Sequence, residues 1–184
     1  MRVIAGAAKG RQLQSVPGDQ TRPITDRVKE ALFDIIGPDV LNSTWWDVFA
    51  GTGAVGIEAL SRGAIFARLT DLNRAPLDTI KANLLHTGLS QRAEVRRAEA
   101  FAALASSPDR QFDYIYIAPP QYKDLWLRAL RVLDGNLGWL NHDGWIVAQI
   151  DPREHRAPGL AKLEEFDTRR YGTTLLAFHR RPES

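Results

Sequence analysis

A buried strand that runs directly into a glycine-rich turn and then a helix leaves a chain few folds to adopt, and residues 44–62 read that way. Trp45, Trp46, Val48 and Phe49 form the apolar end of a strand. Asp47 sits among them, and Gly51-Thr52-Gly53-Ala54-Val55-Gly56 supplies a Gly-x-Gly-x-x-Gly turn. Ala54 to Arg62 carries a helical pattern with Gly63 as its stop. Such a turn lets a backbone come close to a nucleotide-like ligand, because no Cβ intervenes. A second carboxylate, Asp71, stands twenty positions after Gly51 at the end of the next apolar run, where an acceptor for ribose hydroxyls is expected.

Two cofactor classes fit these residues. A nicotinamide dinucleotide needs its pyrophosphate at a helix N-terminus. S-adenosylmethionine has no phosphate; it carries a sulfonium and a free amino group and is better served by extra carboxylates. Asp47 is expected to meet that amine through water. The plain alternative is a tight turn in an α/β domain, with Asp47 hydrogen-bonding the loop.

At 184 residues the chain is expected to be one domain with a short N-terminal appendage, divided at 1–40 and 41–184. It contains no cysteine, which excludes disulfides and thiolate-bound zinc. His86, His142, His155 and His179 are too widely spaced for a metal signature. No apolar run is long enough to span a bilayer, no leader pattern follows Met1, and a cytoplasmic monomer is expected. The net charge of +2 does not by itself announce a nucleic-acid binder. Residues 1–30 do gather Arg2, Lys9, Arg11, Arg22, Arg27 and Lys29 against Asp19, Asp26 and Glu30, an excess able to contact phosphates or simply a solvated surface.

After residue 40 strand and helix patterns alternate. Strands are predicted near 44–50, 65–71, 93–98, 112–118 and 144–150, and helices near 54–62, 74–87, 99–106 and 123–134. This alternation argues for a parallel sheet covered on both faces. Lys162 to Arg170 and Thr173 to Arg181 read instead as a hairpin turning at Tyr171-Gly172, which closes the sheet with an antiparallel edge. Before residue 40, residues 2–4 and 12–14 predict a small β-hairpin around Gly6 to Gly10. Thr25 or Asp26 then caps a helix that runs to Ile36. Parallel strands followed by one terminal hairpin is the layout of the class I methyltransferase sheet, a Rossmann-like α/β fold. It favours S-adenosylmethionine over a nicotinamide cofactor.

A second motif ends the strand at 112–117: Ala118-Pro119-Pro120-Gln121-Tyr122. Two prolines cannot continue a ladder, so they hold a rigid turn at the carboxyl edge, where open α/β sheets bind ligands. With this motif in view, the segments Met1 to Gly6, Thr21 to Phe33, Asp47 to Ala64 and Ala118 to Pro120 resemble the bacterial family of 16S rRNA guanine-N2 methyltransferases that modify guanine 966. The resemblance is collinear over essentially the whole chain. It implies S-adenosylmethionine as methyl donor and 16S rRNA, or the small ribosomal subunit, as partner.

Carried over residue by residue, the resemblance puts Gly51, Thr52 and Gly53 against the methionine part of the cofactor. Asp71, with Leu72 beside it, meets the ribose, and Glu99, followed by Ala100, lies near the adenine amino group. Pro119 and Pro120 match the catalytic proline pair, and Arg22, Thr25 and Arg27 fall in a block near the site. For Glu99 the residues alone favour a helix cap at Ala100. The family motif reads acidic or Asn, Pro-Pro, aromatic. This chain departs from it, with Ala118 in the acceptor position, Gln121 in the aromatic position and Tyr122 one place late; Asn73 also replaces an acidic residue.

A guanine exocyclic amine is a weak nucleophile whose hydrogens need acceptors as charge develops. The Ala118 or Pro119 carbonyl and the Gln121 amide are the candidates, with Tyr122 as a stacking surface for the base. The competing readings are a catalytically silent module that binds cofactor and RNA, a methyltransferase for another nucleic-acid or protein amine, and, more remotely, a nicotinamide oxidoreductase.

Overall fold

In the computed structural model, which describes residues 1–18 and 23–184, five parallel strands run side by side from one edge of a single sheet. They are β1 (Thr44–Asp47), β2 (Phe66–Asp71), β3 (Ala93–Arg97), β4 (Phe112–Ile117) and β5 (Leu140–Ile150). Two further strands, β6 (Glu164–Tyr171) and β7 (Thr174–Arg180), form the terminal hairpin, and β7 pairs antiparallel with β5. The order across the sheet is β3-β2-β1-β4-β5-β7-β6. This is the mostly parallel, Rossmann-like layout the alternation predicts. The hairpin turns at Gly172-Thr173, one residue later than expected.

Strand alternation builds a core on each face. Trp45, Leu69, Tyr114, Tyr116, Val147 and Phe178 face α1 (Asp26–Ile36), α2 (Ala54–Ser61) and α3 (Arg74–Thr87). Trp46, Ile115, Ile117, Ile146, Ala148 and Ala177 face α4 (Ala100–Ala105) and α5 (Leu125–Asp134). Phe112 breaks the alternation, since it joins the second core although Tyr114 and Tyr116 belong to the first. The register between β4 and β5 shifts there, so that Phe112 faces Leu140 but Tyr114 faces Trp145. This irregularity explains why β5 begins four residues earlier than the predicted 144–150. Thr25, rather than Asp26, caps α1, its hydroxyl accepting the Val28 N–H at 3.2 Å.

The expected N-terminal β-hairpin is reduced to a single antiparallel bridge, Arg2 with Gln12. Val3 N–H and Leu13 N–H still reach across to the Arg11 and Met1 carbonyls at 2.9 and 3.0 Å, but the donors of Ile4, Ala5, Ala7 and Ala8 go to α2. Ile4 and Ala5 donate to the Glu58 carboxylate at 2.9 and 3.1 Å, Ala7 to the Ser61 carbonyl at 2.8 Å, and Ala8 to the Ser61 hydroxyl at 2.9 Å. Gly6, at φ +87°, sits so close that a Cβ would lie 1.8 Å from the Ser61 carbonyl oxygen. Val3, Ala8 and Leu13 share one core with α1 and Trp45. Lys29 is fully buried: its ammonium donates to the Arg2 carbonyl at 2.6 Å and lies 3.3 Å from Glu58, which Arg62 also pairs. Buried charge persists where it is paired in this way. Lys29 therefore leaves the set of surface cations counted in the sequence.

Candidate active site

The glycine loop joins β1 to α2 at the carboxyl edge of the sheet. Val48 N–H bonds the Tyr116 carbonyl at 3.0 Å and Ala50 N–H the Thr70 carbonyl at 2.9 Å, which anchors the loop to both neighbours of β1. Gly51 and Gly53 have φ of +56° and +81°, left-handed values that a side chain disfavours. A Cβ at Gly51 would meet nothing within 4 Å, so the backbone there borders open space. Gly56 serves packing, since a Cβ on it would come within 2.9 Å of Leu69.

Asp47 is 2% exposed. Its Oδ2 accepts the Gly56 N–H at 3.2 Å, while its Oδ1 has no hydrogen-bond partner among the described residues. Burial pushes the carboxyl up to about 7, against the pull of the Gly56 N–H and with a further push from the Asp71 charge. Buried polar atoms are ordinarily hydrogen-bonded, so this enclosed carboxylate oxygen without a partner beside the glycine loop stands out. Opposite it in the β1–β4 register, Tyr116 donates to the Gln149 side chain, and burial raises its phenol well above the ordinary value.

Asp71 organises the neighbouring crest. Its Oδ2 accepts the Gly51 N–H at 3.1 Å and its Oδ1 the Asn73 N–H at 3.2 Å. Each oxygen keeps a second lone pair for a ligand hydroxyl. Leu72 follows, half exposed. The Ala98 N–H bonds the Asp71 carbonyl at 3.1 Å, which brings Glu99 to the adjoining strand end. Glu99 is the N-cap of α4, its Oε2 accepting the Ala102 N–H at 2.6 Å, and Ala100 is buried beneath it. Asp47, the glycine loop, Asp71 and Glu99 thus share one edge.

Asn83 was missed in the sequence. It is fully buried on α3, donates to the Thr52 carbonyl at 3.0 Å and the Gln14 carbonyl at 3.1 Å, and accepts the Gln14 N–H at 2.7 Å. The available signal was a lone amide in the apolar stripe of Leu77, Ile80 and Leu84.

The proline pair leaves β4 at the same edge. Ala118 is half-buried, Pro119 buried and Pro120 exposed. No described residue hydrogen-bonds the Gln121 amide. Tyr122 adopts φ +66° and Asp124 φ +51°, both costly without glycine. The Tyr122 backbone N–H donates to Glu154 Oε1 at 2.7 Å and its hydroxyl to Asp151 Oδ2 at 2.7 Å. The Arg153 guanidinium donates to the Tyr122 hydroxyl and to Asp151 Oδ2 at 3.0 Å. The Arg153 guanidinium, with its backbone N–H and the Tyr122 hydroxyl, holds the Asp151 carboxyl well below the usual carboxylate range, while the bond to Asp151 pushes the Tyr122 phenol up against the pull of Arg153. Asp151, Arg153 and Glu154 lie some thirty positions beyond Tyr122, and no spacing rule links them to it.

The N-terminal cations among the described residues have separate surroundings. Lys9 and Arg27 are exposed, Arg2 pairs with Asp26 at 3.9 Å, and Arg22 lies outside the described residues. Arg11 donates to the His86 carbonyl at 2.9 Å, at the far end of the 14-residue α3. That helix starts just after Asp71, so Arg11 stands roughly 20 Å from the Asp71 edge. Among the described residues no group of side chains is arranged to hold a metal ion, and no helix is long and apolar enough to cross a membrane.

The family described as conserved hypothetical protein 95 matches residues 1–180. YlbH of Bacillus subtilis strain 168, provisionally named an rRNA methyltransferase, is 39% identical over 183 residues, covering 98% of this chain and 99% of the relative. The protein named ribosomal RNA small subunit methyltransferase D of Escherichia coli strain K12 is 34% identical over 151 residues, covering 82% of this chain and 75% of its own. Among solved structures, the Escherichia coli protein yhhF, provisionally titled a methyltransferase, matches with a TM-score of 0.86 at 30% identity, covering 98% of this chain and 97% of its own.

Proposed function

Since the chain belongs to the conserved hypothetical protein 95 family, with the ribosomal RNA small subunit methyltransferases D among its relatives, we propose that it transfers a methyl group from S-adenosylmethionine to the exocyclic N2 amine of a guanine in 16S rRNA. The observation that carries this reading is the buried Asp47 Oδ1 with no partner beside an open glycine loop. It fits a ligand that brings its own ammonium and no phosphate.

When bound, S-adenosylmethionine supplies an electrophilic methyl on a sulfonium. The backbone at Gly51, Thr52 and Gly53 borders its methionine part, and Asp47 answers the ammonium. Asp71 takes the ribose hydroxyls, with Leu72 against the nucleoside. Glu99 and Ala100 lie toward the adenine, although Glu99 already spends one oxygen on its cap. For the target amine, the Ala118 or Pro119 carbonyl accepts one hydrogen and the Gln121 amide oxygen, which no described residue engages, the other. The proline pair fixes where these acceptors point. The guanine leaves its RNA context to reach them. Exposed Lys9 and Arg27, with Arg2 and Arg11, offer phosphate contacts for the RNA.

Calorimetry with S-adenosylmethionine and with NAD, together with methyl transfer to small subunits from cells lacking this gene, tests the reading. Binding of the first cofactor alone and one new N2-methylguanine in 16S rRNA are expected. NAD binding, or methylation confined to protein, overturns it. A second reading rests on Ala118, which has no side-chain acceptor: a silent module that binds cofactor and RNA. Cofactor binding without transfer to any rRNA substrate supports that reading instead.

A further inference from the structure

Contacts from the turn after β5 fix the position of the Tyr122 ring. Asp151 is 3% exposed, yet its carboxylate reaches the Tyr122 hydroxyl at 2.7 Å. It is itself held by the Arg153 backbone N–H at 2.9 Å and by the Arg153 guanidinium at 3.1 and 3.0 Å. Arg153 also donates to the Tyr122 hydroxyl, and its guanidinium carbon lies 5.3 Å from the ring centroid. Glu154 takes the Tyr122 N–H, which stabilises a φ of +66° that tyrosine otherwise avoids. Despite three partners the residue stays 59% exposed, so the contacts grip one end and one side of the phenol and leave the rest of the ring to solvent. A tethered, exposed aromatic next to a rigid Pro-Pro turn is a surface made ready to receive another flat ring.

Resting on the function proposed above, we propose that Asp151, Arg153 and Glu154 are positioning residues that lock Tyr122 as the platform on which the extruded guanine stacks. The guanidinium sits at the hydroxyl end of the phenol, 5.3 Å from the ring centroid, and the base takes the exposed ring face. A ring already held in place costs the RNA no ordering on binding. The clamp also gives a physical role to a tyrosine that stands one place later than the aromatic of the related motif: the left-handed turn at Tyr122 and the tether together return its ring to the edge where Ala118 and Gln121 face the amine.

The test uses the full-length protein and small subunits from cells lacking this gene, with wild type, Tyr122→Phe, Asp151→Asn and the double variant. Cofactor affinity is measured by calorimetry, and kcat and KM are measured for the subunit. Tyr122→Phe keeps the ring and removes only the tether. It is expected to lower kcat/KM for RNA about tenfold with cofactor affinity unchanged, the scale expected when part of a base-stacking contact is lost. Asp151→Asn should do the same, and the double variant should be no worse than the more damaged single, because both act by releasing the same ring from the Asp151–Arg153 hold. Wild-type kcat/KM in Tyr122→Phe, or losses that multiply in the double variant, overturns the clamp. A loss of cofactor affinity in step with activity in Tyr122→Phe also overturns it, by showing a general structural role. A wild-type protein that binds cofactor yet methylates no rRNA overturns the underlying assignment, and the clamp with it.

Discussion

The Asn83 side-chain amide donates to the Thr52 carbonyl at 3.0 Å, and the same side chain bonds both the N–H and the carbonyl of Gln14. One buried amide therefore fastens the glycine loop and the N-terminal segment to α3. Asn83→Ala would strand three backbone groups. It is expected to cost about 1–3 kcal/mol of stability and to weaken cofactor binding several-fold. Thermal denaturation and calorimetry read the two effects separately; unchanged cofactor affinity would show that the loop holds its shape without Asn83.

Asp47 makes stability depend on pH. Burial raises its carboxyl from 3.8 to about 7, so between those values the folded protein holds a proton that the unfolded chain has released. Its contribution is fully present at low pH and is lost as pH rises toward neutrality. Asp47→Asn removes the dependence. Its Tm relative to wild type should rise by several degrees between about pH 5 and about pH 8, while its affinity for S-adenosylmethionine falls. A constant Tm difference across that range contradicts the assignment.

Asp71 holds Gly51 and Asn73 as well as the expected ribose, so simple loss of affinity in Asp71→Ala would not separate the roles. Comparing S-adenosylhomocysteine with its 2′,3′-dideoxy analogue does. Wild type should prefer the natural ligand by about 1–3 kcal/mol, and Asp71→Ala should lose most of that preference. Equal discrimination in both proteins would place the ribose acceptor elsewhere.

Ala118 and Gln121 form the next pair to vary. Ala118→Asn adds the side-chain acceptor this chain lacks and should raise kcat on small subunits. Gln121→Ala should lower it by about 10²–10³, the range for loss of one preorganised hydrogen-bonding group at a reacting centre. A rate unaffected by Gln121→Ala leaves the backbone carbonyls as the acceptors.

What was legible in the sequence was local. The order Asp47, glycine loop, helix, Asp71 follows from apolar runs and glycine spacing, and each piece lies within a few residues of the next. The terminal hairpin was legible for the same reason, as was a cap for α1 at Thr25 or Asp26, which the structure gives to Thr25. Contacts between distant segments were not. Lys29 looks like one more surface cation, but Glu58 lies across from it and the N-terminal backbone closes over both. Arg68 likewise sits inside a strand, buried against Trp46, Phe112 and Trp139 and paired with Glu94 and Asp109. The β4–β5 register shift and the hold on Tyr122 depend on how neighbouring strand ends meet, which no periodicity records.

The seat of Gly6 against Ser61 also sets a timetable. Residues 4–8 find their hydrogen-bond partners at Glu58 and Ser61, 53 to 56 positions further along the chain. A ribosome adding ~5–20 residues per second leaves that stretch without its dock for roughly 3–10 s. During this interval Val3, Ala8 and Leu13 have no core to enter and stay exposed. Slowing translation between α1 and α2 should lengthen that exposure without altering the finished protein.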